Sequence, residues 1–235
     1  MSGKAPTRRL EGRLIALGVT GSIAAYKAVE LLRLLTAEGA DVSVLMSPAA
    51  TRFVTPLTFA ALSRHPVESE LMELLPDGRI GHVVIADTAD ALVVAPATAH
   101  WLGAMANGLA GDTVTAAALA TTAPVVVAPA MDGEMYAHPA TQANVTRLRD
   151  AFGYTIVEPE QGALASGQTG LGRLGSVSSV IVEDAPESVV CVPPQAVVNV
   201  QEPRELLSAR SSSAWRRMSV PPRRKCLVPS IVERL

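Results

Sequence analysis

Short apolar runs alternate with amphipathic stretches through the first two thirds of the chain. Residues 14–19 (LIALGV) are an unbroken apolar run leading into a glycine-containing turn, the pattern of a strand buried on both faces. Residues 22–38 follow with Ala24, Ala28, Leu31, Leu32 and Leu35 at helical spacing, Ser22 as candidate N-cap and Gly39 as stop. Residues 41–46 (DVSVLM) alternate and are rich in strand formers, which completes a βαβ unit. The pattern then recurs. It predicts a short helix over 56–62, a strand fragment over 83–85, a strand over 91–95 and an alanine-rich helix over 101–120. A strand over 124–128, a helix over 139–152 stopped by Gly153 and a last strand over 155–158 follow.

Strands alternating with helices predict an α/β fold. The expected form is a doubly wound, Rossmann-like or flavodoxin-like parallel sheet with helices on both faces and right-handed crossovers. Ligands of such sheets bind beyond the carboxyl ends of the strands, so the loops there carry the candidate chemistry.

Composition narrows the function classes. The 235 residues are 49% hydrophobic and 18% charged, too apolar for a disordered chain. A net charge of −2 and 3% aromatic content make no case for nucleic acid or an anionic membrane. The long apolar region 91–131 is interrupted by Pro96, His100, Asn107, Gly111, Asp112 and Pro124, so no membrane span is expected. The polar start, without an apolar signal core, argues against secretion. Cys191 and Cys226 make neither a disulfide framework nor a metal site, and a reducing cytoplasm is the expected location. Residues 1–12 read as a tail, 13–174 as the domain, and 175–235, rich in Ser, Pro and basic residues toward the end, as a poorly ordered or non-native tail.

Four strand-end loops stand out. The first, Gly18-Val19-Thr20-Gly21-Ser22-Ile23-Ala24, offers tight turns, hydroxyls and a helix N-terminus, which suit a phosphate or a plain strand-to-helix turn. Its spacing does not fit the dinucleotide fingerprint G-x-G-x-x-G. The second places Ser47 at a strand end. The third (Ala95-Pro96-Ala97-Thr98-Ala99-His100) and fourth (Ala128-Pro129-Ala130-Met131-Asp132) each put proline, small residues and then a polar group there. Small residues at a crevice mouth admit a planar ligand, while Thr98 and Asp132 also serve as helix caps. His82 is a candidate general base.

Taken together, five motifs in order resemble the phosphopantothenoylcysteine decarboxylase family of FMN proteins, which includes peptidyl-cysteine decarboxylases. They are GVTGSIAAYK (18–27), SPAATRFVTPLTFAALS (47–63), GHVVIADTADALVVAPATAHWLGAMANGLAGD (81–112), PAMDGEMYAHPATQANVTRLR (129–149) and GALASGQTGLGRL (162–174). The resemblance implies FMN as cofactor. It also implies conversion of 4′-phospho-N-pantothenoylcysteine to 4′-phosphopantetheine in coenzyme A biosynthesis, by thiol oxidation, loss of CO₂ and re-reduction. The cofactor would carry the redox chemistry.

The resemblance assigns Gly18, Thr20, Gly21, Ser22 and Ser47 to the phosphate side of the cofactor and Pro96, Ala97 and Thr98 to the stretch beside the flavin, with Ile23 and Met105 also among the cofactor-binding residues. It assigns His82, Asp132 and Ser166 to catalytic positions. Asn107, Met131, Met135, Ala165 and Arg173 go to substrate binding, the last two within a lid over 162–173. It further implies a flavin site formed between subunits, in a trimer or a multiple of trimers. Three positions depart from the family pattern. His100 stands for an asparagine beside the flavin, Asp132 for an asparagine that would bind the substrate carboxylate, and Ser166 for a lid cysteine. An ionised Asp132 repels a carboxylate, and a serine hydroxyl is a far weaker acid than a thiol. These departures motivate an alternative, an FMN-binding regulatory or impaired subunit. A flavin prenyltransferase of the same fold is a further alternative. No synthetase pattern follows Leu174, and a truncation or shifted frame near Gly175 is the expectation for the tail.

Overall fold

The computed structural model describes residues 9–167 and 169–175. Six strands form one parallel sheet in the order β3-β2-β1-β4-β5-β6: β1 (Leu14–Val19), β2 (Asp41–Met46), β3 (Val67–Glu68), β4 (Ala91–Ala97), β5 (Val125–Pro129) and β6 (Thr155–Ile156). This is the doubly wound order, in which the chain reverses its direction of growth between β1 and β4. Alternate side chains serve two cores. Ile15, Leu17, Val19, Val93, Val126 and Ala128 pack under α1 (Ala25–Ala37) and α2 (Pro56–Ser63). Ala16, Leu92, Val94, Val125 and Val127 pack against the helices of the other face. Those are α3 (Gly81–Thr88), α4 (Ala99–Ala106), α5 (Thr113–Ala120), α6 (Gly133–Ala137) and α7 (Pro139–Asp150). Period-two alternation in strands buried on both faces is what the unbroken apolar runs encode.

Three local expectations are corrected. Residues 83–85 are not a strand but the middle of α3. Three adjacent apolar residues carry no period, and the crossover between two parallel strands needs an element on a sheet face. The helix is held there by buried Ala86, whose carbonyl accepts from the Thr121 hydroxyl at 2.9 Å. The single helix over 101–120 is two, α4 and α5. Gly108 takes a left-handed φ of 68°, and Asp112 restarts the chain with a capping box to Thr115. Finally, α1 is capped at Ala24, because the Ser22 hydroxyl is turned to the Ala24 N–H within the loop.

Beyond the sheet, β7 (Glu160–Ala163) and β8 (Thr169–Arg173) form an antiparallel hairpin. The predicted terminal tails lie largely outside the described residues. No described helix is long and apolar enough to cross a membrane.

Candidate functional site

The crevice opens where β1 and β4 send their following helices to opposite faces of the sheet. One hydroxyl ties its two walls together. Thr20 Oγ1 donates to Pro96 O at 2.6 Å and accepts from Thr98 N at 3.0 Å, so it is spent inside the protein. Thr20 therefore builds the site and has no hydrogen left to offer. Thr98 in turn caps α4 through the Trp101 N–H.

A cleft of about 570 Å³ lies in this crevice, between the loops after β1, β2, β4 and β5. Thr20, Gly21, Ser22, Ser47, Thr98 and His100 contribute to its wall, with Met131 and Met135 on the far side. Its donors are unspent. Ser47 Oγ accepts from Ala50 N and Ser22 Oγ accepts from Ala24 N, which leaves both hydroxyl hydrogens free to donate. The backbone N–H groups of Gly21, Ile23 and Ala49 have no acceptor among the described residues. Convergent free N–H groups and hydroxyls at a strand-to-helix turn form an anion cradle. Gly21 is required by close approach, since a Cβ there would stand 2.3 Å from the Ala49 Cβ.

A second cleft of about 410 Å³ adjoins the first and shares Ser22, Ala130 and Met131 with it. Its floor is the start of α1, and its roof is the hairpin, represented by Ala163, Leu164, Ala165 and Arg173. Met131 N donates to Gly172 O at 3.0 Å, and Lys27 Nζ donates to Leu174 O at 3.0 Å. A Cβ on Gly172 would meet Met131 O at 2.4 Å, so the hairpin approaches the loop after β5 more closely than any side chain allows. Asp132 lines this cleft and caps α6 through the Glu134 N–H at 3.3 Å.

Other predicted residues stand apart from both clefts. Gly18 lies within β1, where a Cβ would strike Val114 Cγ1 at 2.6 Å. Pro96 and Ala97 shape the end of β4, and Met105 is buried in the core behind it. Asn107 bonds locally to Gly103 O. Ser166 is exposed at the hairpin turn. His82 sits at the N-terminus of α3 and lines neither cleft; partial burial lowers its pKa below the usual histidine value. Sequence reasoning gave no role to Lys27, Asp112 or Trp101, all of which line a cleft. Lys27 was legible as a cation in the first turn of the first helix. Trp101, 1% exposed, carries an indole N–H without a partner among the described residues, and nothing in its helical pattern signals that. Among the described residues, no His, Cys, Asp and Glu side chains converge as a metal site.

Fold and clefts define an α/β protein built to hold an anionic cofactor at the switch point of its sheet, with a second ligand beside it. The Flavoprotein family model matches residues 4–184, and the chain belongs to that family. It is 46% identical over 172 residues to the coenzyme A biosynthesis bifunctional protein CoaBC of Bacillus subtilis, covering 73% of this chain and 42% of the relative. The CoaBC protein of Escherichia coli K12 is 44% identical over 165 residues, covering 70% of this chain and 40% of that one. The chain thus spans about two fifths of the length of these curated relatives. Among solved structures it is similar to a PPC decarboxylase variant complexed with pantothenoylaminoethenethiol, with TM-score 0.63 and 29% identity over 72% of this chain and 93% of that one. It is also similar to the FMN-dependent cysteine decarboxylase SpaF, with TM-score 0.62 and 32% identity over 72% and 96% of the two chains.

Proposed function

We propose that the chain is an FMN-dependent carboxy-lyase that converts 4′-phospho-N-pantothenoylcysteine to 4′-phosphopantetheine in coenzyme A biosynthesis. The observation that carries this reading is the pair of adjoining clefts, one with unspent anion donors and one roofed by a hairpin. The curated relatives named for coenzyme A biosynthesis and the solved decarboxylases of the same fold support it.

The residues fit FMN. The free N–H groups of Gly21, Ile23 and Ala49, with the Ser47 and Ser22 hydroxyls, suit its phosphate. The small Ala130 and the flexible Met131 and Met135 admit a flat ring system. FMN, when bound, supplies the two-electron redox chemistry at the substrate's carbon–sulfur centre.

This chain's own residues bind, orient and exclude water. The hairpin roofs the second cleft, where the substrate would lie, and Met131 lines both clefts. His82 serves as base or orienting group for the reacting cysteine, and the burial that lowers its pKa favours the neutral imidazole such a role needs. Because His82 lines neither cleft of its own chain, a second copy brings it to the site, in the trimeric arrangement the family resemblance implies. The reaction belongs to the cytoplasm, where coenzyme A biosynthesis supplies the substrate.

Anaerobic mixing of flavin-loaded protein with 4′-phospho-N-pantothenoylcysteine is expected to bleach the flavin transiently and release CO₂. A protein that takes up FMN but neither bleaches nor releases CO₂ would overturn the reading. Asp132 and the exposed Ser166 favour a second one, a flavoprotein of the same fold that binds without completing turnover. Persistent bleaching without 4′-phosphopantetheine is its signature.

A further inference from the structure

Helix α3 carries His82 as its second residue, so the place of the imidazole depends on how the first turn is held. That turn has no cap of its own. Ile80, at the N-cap position, offers no side-chain acceptor, and the N–H groups of His82 and Val83 find no acceptor among the described residues. A negative group from another part of the chain stands there instead. A Cβ on buried Gly81 would meet Glu68 Oε2 at 2.1 Å, Cδ at 2.2 Å and Oε1 at 2.6 Å. The Glu68 carboxylate therefore occupies the space beside Gly81 that a side chain would fill.

Glu68 is itself firmly placed. It ends β3, in register with Leu45 of β2, and its carbonyl accepts from the hydroxyl of fully buried Thr113 at 3.2 Å. The same hydroxyl reaches Met46 O at 3.0 Å, so the ends of β2 and β3 are both fixed to the start of α5. Burial first, and then the Glu73 charge, raise the Glu68 pKa above the usual carboxylate value. Among the described residues no cation pairs with it. A partly buried carboxylate without a cation is unfavourable unless another positive group offsets it. The start of α3 is such a group, because its unbonded N–H groups and the helix dipole favour a negative charge there. Thr113, Glu68 and Gly81 thus form a continuous line of contact from the sheet edge to the residue before His82.

We propose that Glu68 is a positioning residue for His82: its carboxylate holds the first turn of α3 and so sets where the imidazole stands. This rests on the role given to His82 above and adds the group that fixes it. Glu68 lines neither cleft of its own chain, so it acts through α3 and not on cofactor or substrate. Its packing also gives it a structural role, and the test separates the two.

Glu68→Gln keeps the size of the side chain and removes its charge. In the flavin-loaded full chain it is expected to lower kcat about 10- to 100-fold, while KM and the affinity for FMN stay within about twofold. In a His82→Asn background the same change is expected to cost nothing further, which a general loss of stability would not show. Amide exchange reads the contact without turnover. Peptides covering residues 80–88 should exchange about 3- to 10-fold faster in Glu68→Gln, with those of β1 and β4 unchanged. An unchanged kcat in Glu68→Gln, an equal loss in the wild-type and His82→Asn backgrounds, or unchanged exchange over 80–88 would overturn the inference. Faster exchange confined to α3 in a protein that releases no CO₂ sinks the activity and leaves the positioning. Release of CO₂ with Glu68→Gln indistinguishable from the wild type in both measurements does the reverse.

Discussion

His82 is a partly buried imidazole at the start of a helix, with burial as the cause of its lowered pKa. A histidine base works while neutral, so a lowered pKa extends activity toward acid and does not restrict it. The acid limb of kcat/KM is therefore expected to fall below the ordinary histidine value of about 6.5. Replacement by Asn should remove that limb and cost about 10²- to 10⁴-fold in turnover. A pH–rate profile of both proteins checks this, and an acid limb unchanged in His82→Asn would assign the titration to another group. At this scale the sequence was legible in residue type and only partly in role. Thr20 looks from its motif like a phosphate donor, yet its hydroxyl is consumed by Pro96 and Thr98. Gly18 looks like a cofactor contact, yet it makes room for Val114. Both outcomes depend on which distant elements pack against β1 and its loop, the end of β4 for Thr20 and α5 for Gly18, and no local pattern encodes that.

At the scale of elements, the four longer strands of the parallel sheet, β1, β2, β4 and β5, were readable because apolar runs buried on both faces are continuous and short. The hairpin was not, since Gly, Thr, Gln and Ser dominate it and its stability comes from what it touches. Its seat is the contact of Gly172 with the loop after β5. Gly172→Ala would press a Cβ to 2.4 Å from Met131 O and disturb the Met131 N–H bond to Gly172 O. We expect the sheet domain to keep its fold and its flavin, because the clash is confined to the hairpin and one loop. KM for the substrate should rise about tenfold, the equivalent of one lost positioning contact. Flavin titration, circular dichroism and steady-state kinetics on one preparation test the split. A matching loss of flavin affinity would show that the hairpin also supports the cofactor cleft.

For the whole molecule, the proposed function requires that a cleft bearing the cofactor donors and a histidine outside it be brought together by a second copy. Leu57 on α2 is 76% exposed and Met72 is 89% exposed, with Phe53, Leu74, Ile80 and Val83 also open along the same stretch of chain that carries His82. Large exposed apolar side chains suit a protein contact, and in the proposed assembly a second copy is the partner that would also deliver His82. Leu57→Glu leaves the monomer's packing untouched, because the side chain meets solvent there. It is expected to shift the protein to a smaller species in light scattering and to cost turnover about as much as loss of His82, about 10²-fold or more. Complementation is the sharper measurement. His82→Asn retains an intact cofactor cleft, and Ser47→Asp places a negative charge in the anion cradle while retaining His82. Each alone should be inactive. Mixed oligomers reassembled from the two should regain activity, because a cleft from one copy then meets His82 from the other. A mixture as inactive as its parents would confine the reaction to a single chain.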